Sequence, residues 1–158
     1  VWGGFYQNGK SSVVATSGLR YQLQGKCWNS LPAPRNGEGK ELTLTGATAM
    51  LAVAPDGEAQ IICAGGVNHD IFWDAISGTY SKVAQADYLK KDISWYQFNG
   101  CPLAYKLKTE RSEILSHQTP LLARAGAQVA MRKHTLYYIG GELKPGLRSP
   151  GIVQLDLR

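Results

Sequence analysis

The chain has 158 residues, of which 44% are hydrophobic, and this length suits one cored domain better than two. Its formal net charge is +5, but the lysines and arginines are scattered and no basic run stands beside aromatic side chains, so no nucleic-acid surface is expected. The longest apolar runs fall far short of the roughly twenty residues that a membrane-spanning helix requires, so no membrane span is expected either.

The composition favours an all-β fold. The chain contains 18 glycines, 8 tyrosines and 4 tryptophans, and the stretches between glycines are short and rich in Val, Ile, Leu, Thr and Tyr. Its three cysteines, Cys27, Cys63 and Cys101, are an odd number at unrelated spacings, which indicates neither a disulfide framework nor a metal site. We therefore expect buried thiols.

An apolar stretch that ends in two glycines is repeated along the chain. It occurs at 1–4, at 62–66 and at 137–141. The first copy is followed by two strand-like runs, at 19–23 and 27–32. Repetition at this scale indicates a fold that is built from similar sheets.

The second and third copies each follow another strand-like run across a tight turn. The run 46–53 precedes an Asp-Gly turn, and the run 124–130, which Arg124 opens, precedes a Lys-His turn. Short strands joined in this way predict β-hairpins. A further strand of the second unit is predicted at 102–107, as its outer strand.

This pattern resembles the kelch repeat, whose blade is a four-stranded antiparallel sheet and whose paired glycines end the second strand, where only a residue without Cβ fits. A tryptophan packs between blades in that family, and Trp28 is predicted to do so here. The resemblance implies an all-β, kelch-type β-propeller with about three blades of a ring that we expect to hold six. The blade portions are expected at about 1–45, 46–120 and 121–158.

Three blades are too few to close a ring, because radial folds use roughly four to eight of them. Since the chain opens inside a strand pattern, we expect the remaining blades to come from the same longer chain. A dimer of two half-propellers is the alternative. In either case, two blade faces are expected to be open in the isolated chain.

The densest polar cluster of the sequence lies at 140–148. Pro145 and Gly146 predict a turn there, which would fold Arg148 back towards Glu142. Taken alone, such a pair is typical of a solvated surface ion pair beside a hairpin.

Two segments, 64–72 and 141–148, resemble the N-acetylneuraminate epimerase (sialic acid mutarotase) family, in the family's order and at a fitting distance. The resemblance extends from Gly46 to Leu157, and the end of the chain is similar to the cyclically permuted branch of the family. It implies an exported, periplasmic enzyme that interconverts the α and β anomers of N-acetylneuraminate, with no cofactor and no metal.

The resemblance also assigns roles to residues of this chain. Glu142 matches the proton acceptor of the family and Arg148 the arginine that assists it, which suits a reaction that moves the anomeric proton. Arg148 is further suited to a two-pronged pairing with the sugar carboxylate. Four further residues are predicted to contact the substrate: Asn68, His69, Arg124 and Lys144.

Other functions remain open at this point. A kelch-type module that binds a protein or a sugar without catalysis is the main alternative, because a fold alone does not choose a function. A sialidase-like propeller would need a nucleophilic tyrosine and three arginines on the carboxylate, and only Arg124 and Arg148 are evident. The aromatic insertion 87–96 is expected to pack under a loop rather than to stack on a sugar.

Overall fold

The computed structural model describes residues 1–8 and 11–157, and for Asn8 the backbone alone. The first strands in chain order are β1 (Phe5–Asn8), β2 (Ser11–Val14), β3 (Gly18–Gln22), β4 (Cys27–Leu31), β5 (Ala47–Val53) and β6 (Ala59–Gly65). They are followed by the helices α1 (His69–Ile76) and α2 (Gln85–Tyr88), a 3₁₀ turn (Ile93–Tyr96), β7 (Leu103–Lys106) and β8 (Arg111–Ile114). The last strands are β9 (Gln128–Arg132), β10 (Thr135–Ile139), β11 (Glu142–Lys144), β12 (Leu147–Arg148) and β13 (Ile152–Asp156). No helix among the described residues is long and apolar enough to cross a membrane.

The middle sheet is a four-stranded blade. Its strands lie in the antiparallel order β5-β6-β7-β8. The predicted hairpin β5-β6 is confirmed, and in its turn Asp56 Oδ1 accepts the N–H of Glu58 at 2.9 Å. The run 102–107 is also a strand, but it is the third of its blade, because β8 pairs along its outer edge.

The flanking sheets follow the same pattern with fewer strands. The third sheet has the order β9-β10-β13, and in the first sheet β3 pairs with β4 while Trp2 bridges to Gly18 on β3. In every blade an excursion leaves after the paired glycines, between the second and third strands. The three excursions are the hairpin β1-β2, the helical segment 69–96 and the hairpin β11-β12.

The innermost strand of the third blade begins later than the sequence predicts. Strand β9 starts at Gln128, whereas the pattern predicts a strand from Arg124 onwards. The chain turns at Gly126, whose φ is +64°, and Ala125 bridges to Glu142 instead of joining the sheet. A left-handed residue interrupts an extended run, which is why the strand is shorter.

The hydrophobic core lies between the middle and third sheets. Its buried residues come from both sheets and from the segment that joins them: Ala52, Ile62, Ala64, Ala104, Leu122, Ala127, Leu136 and Tyr138. The Tyr138 hydroxyl lies 3.2 Å from the carbonyl oxygens of both Leu122 and Arg124, so the polar end of this buried ring is satisfied. The first and middle sheets meet where the rings of Trp2 and Tyr105 pack, with centroids 4.5 Å apart.

The paired glycines allow neighbouring blades to touch through their backbones. A Cβ on Gly3 would lie 2.5 Å from the carbonyl carbon of Leu44, just ahead of the middle blade. A Cβ on Gly65 would lie 2.3 Å from the carbonyl oxygen of Arg124, just ahead of the third blade. Both distances are well inside van der Waals contact, so any side chain here would push the next blade away.

Trp28 is not buried between blades in this structure, contrary to the prediction. It is 58% exposed and packs against the Tyr21 ring, at 5.1 Å between ring centroids. On β3, Arg20 points to the middle blade and pairs with Glu110. Because side chains alternate along a strand, Tyr21 and the facing Trp28 point to the opposite, open side of the first blade.

The three thiols do not share one environment. Cys63 and Cys101 are buried, and burial raises the pKa of both, that of Cys63 to about 11. Cys27 is exposed, which contradicts the expectation of buried thiols, because it lies beside the solvent-facing turn between β3 and β4.

We predict that Gly65→Ala destabilises the protein more than Gly57→Ala does. Both glycines are left-handed, with φ of +77° and +86°, but only Gly65 has backbone close to an added Cβ. The left-handed backbone should cost about 1–2 kcal/mol at either position. The clash should add about 1–3 kcal/mol at Gly65. Urea denaturation of both variants measures the difference, and equal costs would show that the close approach of the blades does not require glycine.

Candidate active site

The three excursions contact one another at one end of the fold. Gln7 Nε2 on the first hairpin donates to the carbonyl of Ile76 at 2.6 Å, and Trp73 Nε1 on α1 donates to the carbonyl of Ser12 at 2.9 Å. The hairpin β11-β12 contacts the segment after α2 through Lys144. Because each excursion leaves from the same end of its blade, together they build a continuous layer over that end.

Asn68 is placed at the start of α1, where its side chain caps the helix. Its Oδ1 accepts the N–H groups of Asp70 at 3.0 Å and Ile71 at 3.1 Å, and α1, which the strand pattern of the sequence does not include, begins at the next residue. The amide Nδ2 lies 3.4 Å from Gln97 Oε1. Only this Nδ2 end is available for the predicted sugar contact.

His69 is held by a neighbouring carboxylate. Its Nδ1 lies 2.9 Å from Asp70 Oδ1, and Lys40 Nζ lies 3.3 Å from the other oxygen of Asp70. The hydrogen bond with His69, aided by Lys40, lowers the pKa of Asp70 below its usual value. Asp70 therefore stays ionised near neutral pH and fixes the imidazole, with Nε2 left for another partner.

Glu142 and Arg148 face each other across the hairpin β11-β12. They are cross-strand partners, with Arg148 Nη2 at 3.6 Å from Glu142 Oε1. The predicted turn at Pro145 and Gly146 is present, and Gly146 has φ of +80°. The Glu142 side chain is 34% exposed and the Arg148 side chain 82%, so the pair is a loose, solvent-screened contact.

Arg124 has a structural task. It is buried, and its Nη1 donates to the carbonyls of Gly140 at 2.9 Å and Gly151 at 3.0 Å. Its guanidinium also lies 5.8 Å from the centre of the Tyr138 ring. Its Nε is buried without a partner among the described residues. The substrate contact proposed for Arg124 from the sequence stays a prediction.

An open cleft of about 1180 Å³ lies beside this layer. Three of the residues predicted to contact substrate line it: Asn68, His69 and Lys144. Glu142 opens instead into an adjoining pocket of about 90 Å³, which shares Val67, Asn68 and Phe98 with the cleft. Its walls are mostly apolar and include Val67, Ile71, Phe72, Tyr88, Tyr96, Phe98 and Pro145. Arg148 and Arg124 line neither space.

Gln97 also belongs to this site, although no sequence pattern indicates it. It follows the 3₁₀ turn in a left-handed conformation, with φ 49° and ψ 43°, and it lines the cleft. Non-glycine residues in this conformation are uncommon and are often found at functional sites. Its Oε1 lies 3.4 Å from Asn68 Nδ2.

The described residues contain no group of three or more His, Cys, Asp or Glu side chains that could hold a metal ion. The polar groups of the cleft are amides, hydroxyls, a histidine and scattered charges. Such a set suits a ligand that is rich in hydroxyl groups and carries an ionised group.

Comparison with known proteins supports the resemblance seen in the sequence. No protein-family model matches the chain. The chain is 32% identical over 101 residues to the N-acetylneuraminate epimerase of Escherichia coli O9:H4 (strain HS), a match that covers 58% of this chain and 27% of that protein. The solved structure of YjhT matches 99% of this chain and 45% of its own, with a TM-score of 0.76 and 24% identity.

These findings define the fold as a partial kelch-type β-propeller. They also confirm that the chain resembles N-acetylneuraminate epimerases. The chain spans less than half the length of either relative.

We predict that two substitutions of Asn68 separate its two tasks. Asn68→Ala removes the helix cap and should cost about 1 kcal/mol of stability, whereas Asn68→Asp keeps a capping oxygen and should cost much less. If Nδ2 also contacts a sugar, the Asp variant should keep its stability and lose affinity for N-acetylneuraminate. Thermal denaturation and calorimetric titration measure the two effects, and equal stability of both variants would contradict the capping role.

Proposed function

We propose that this chain is part of a sialic acid mutarotase, an enzyme that interconverts the α and β anomers of N-acetylneuraminate. The observation that carries the proposal is the Glu142–Arg148 pair, which lies beside the cleft in a chain that resembles an N-acetylneuraminate epimerase. The periplasmic location implied by the resemblance is part of the same proposal.

In the proposed reaction Glu142 is the general base. Its carboxylate accepts the proton of the anomeric hydroxyl, and the electron pair forms a carbonyl as the bond from the anomeric carbon to the ring oxygen breaks. The ring oxygen takes a proton from water or an acid at the site. The carbonyl group of the open-chain keto acid then rotates about its bond to the rest of the chain. The ring oxygen attacks the opposite face of this carbonyl, and the same proton transfers in reverse give the other anomer without any oxidation or reduction.

Arg148 is assigned to the carboxylate of the sugar acid. Its side chain is exposed and only loosely paired, so its planar fork is free to make two parallel hydrogen bonds to a carboxylate. Asn68 and His69 line the cleft and are assigned to the hydroxyl and N-acetyl groups. Lys144 also lines the cleft, but its ammonium donates to the carbonyls of Leu89 and Lys91. The substrate contact of Arg124 stays a prediction, and in this structure its guanidinium donates to the carbonyls of Gly140 and Gly151.

We further propose that other blades cover the two open sides of this unit. In the middle blade, the second glycine of the pair packs on the innermost strand, because a Cβ added to Gly66 would lie 3.3 Å from Ala47 Cβ. In the first blade, a Cβ added to the corresponding Gly4 would have no atom within 4 Å. Leu51 and Val53 on β5 are 63% and 61% exposed on the side of the first blade. An innermost strand of the first blade would cover all three residues. The same longer chain is the proposed source, and a second copy is the alternative.

We predict that Glu142→Gln, in the full-length protein, slows mutarotation by about 10²- to 10⁴-fold, because a carboxamide keeps the shape but cannot accept the proton. Arg148→Lys should mainly weaken binding of the sugar acid, since one point charge replaces a two-pronged contact. NMR of the anomers after enzymatic release of α-sialic acid, timed against the spontaneous rate, measures both. If the parent protein does not accelerate the exchange, the mutarotase proposal is wrong and a binding module is the better account. If the Gln variant matches the parent, Glu142 is not the base.

We predict that Leu51→Asp destabilises the full-length protein by about 2 kcal/mol or more, because a covered site would hold an unpaired charge. Leu23→Asp is the matched control, since Leu23 is 81% exposed at the turn between β3 and β4. The control should cost no more than about 0.5 kcal/mol. Thermal unfolding compares the two, and a dimer seen by size-exclusion chromatography with light scattering would identify a second copy as the cover. Equal costs would show that the face stays open in solution.

A further inference from the structure

Among the described residues, the backbone hydrogen bonds that join the hairpin of Glu142 and Arg148 to the rest of the fold lie at its base. Ala125 and Glu142 exchange two such bonds, of 2.7 and 2.9 Å, and Ser149 N donates to the carbonyl of Gly141 at 2.8 Å. The hairpin has two cross-strand pairs with a bulge between them, Glu142 with Arg148 at the base and Lys144 with Leu147 beyond it. A hairpin this short has little stability of its own in water, so its tip needs another attachment.

Lys144 provides that attachment. Its Nζ donates to the carbonyl oxygens of Leu89 at 3.2 Å and Lys91 at 2.7 Å, in the segment that follows α2. No other protein donor is assigned to these two carbonyls among the described residues. Hydrogen bonds from a charged donor are stronger than neutral ones, and a lysine commonly binds the free carbonyls at the end of a helix.

The segment that receives Lys144 is itself well anchored. The Tyr88 ring packs edge-on against Trp95 and Tyr96, with centroids 5.9 and 5.4 Å away. Tyr96 is buried, and its hydroxyl donates to the carbonyl of Tyr88. The ammonium of Lys144 therefore ties a marginal hairpin to a packed aromatic cluster.

We propose that Lys144 is a positioning residue, which fixes Glu142 for proton transfer by tying the hairpin to the carbonyls of Leu89 and Lys91. This inference rests on the proposed function, and it gives Lys144 a task other than the substrate contact expected from the sequence. It predicts that loss of the ammonium loosens the hairpin beyond its base and shifts the Glu142 side chain, whose backbone stays bonded to Ala125, while the cleft residues that hold the sugar stay where they are. Displacement of a reacting group by about 1 Å costs about 10²-fold in rate.

The test uses Lys144→Met, Lys144→Arg and the matched control Lys108→Met in the full-length protein. Lys108 is an exposed lysine, and its pairing with Glu58 at 3.1 Å joins the β7-β8 and β5-β6 turns of the middle sheet. In Lys144→Met, kcat for mutarotation should fall about 10- to 100-fold with KM within about twofold. Lys144→Arg, whose fork also donates to two carbonyls, should recover most of kcat, and Lys108→Met should match the parent.

Hydrogen exchange supplies a readout that needs no activity. Amides of residues 85–91 and 142–148 should exchange at least about fivefold faster in Lys144→Met than in the parent, with no change in β5 or β6. Unchanged exchange and unchanged kcat would overturn the proposal. So would a raised KM at constant kcat, which would mean that the ammonium binds the sugar directly. If the parent does not accelerate mutarotation, the proposed function fails, and the exchange rates alone decide whether Lys144 holds the hairpin.

Discussion

The close approach of backbone to backbone at the paired glycines is the constraint on which the rest of this fold depends. Gly65 lies against the carbonyl of Arg124, and Gly66 donates its N–H to the same carbonyl at 2.9 Å. The close contact at Gly65 and the hydrogen bond from Gly66 together determine where the third blade lies relative to the middle blade. The apolar contacts between the middle and third sheets then fill the space that this placement leaves. The first pair repeats the steric contact, because a Cβ on Gly3 would meet the carbonyl carbon of Leu44, and Gly4 donates its N–H to the Thr45 hydroxyl at 2.9 Å.

The position of the candidate site follows from the same constraint. A chain that leaves a paired glycine has just passed the crowded boundary between two blades, and its excursion emerges beside the excursion of the next blade. For this reason the capped helix α1, the aromatic segment after α2 and the hairpin β11-β12 meet, although they lie far apart in sequence. The two hairpins are marginally stable alone, and their contacts with the helical segment 69–96 hold the polar groups in place.

Turns and hairpins, which depend on residues adjacent in sequence, could be predicted. Contacts between segments that are distant in sequence could not. The hairpin β5-β6, the turn at Pro145-Gly146 and the pairing of Glu142 with Arg148 follow from turn chemistry and strand alternation. Helix α1 could not be predicted, because the sequence feature that marks its start is one capping residue, Asn68, which follows a pair of glycines closely. The exposure of Trp28 and the αL conformation of Gln97 depend on what lies beside them, which a residue pattern does not contain.

The looseness of the Glu142–Arg148 pair has a chemical consequence in the proposed reaction. A short, two-pronged salt bridge would occupy the acceptor oxygens of Glu142 and the donors of Arg148 at once. At 3.6 Å, with Arg148 largely in solvent, neither group is committed to the other. When a sugar carboxylate binds the guanidinium, the arginine turns its donors to the substrate, and the Glu142 oxygens stay free to accept the anomeric proton. The hairpin must then keep Glu142 in place without help from Arg148, and this is the reason that an independent attachment at its tip matters.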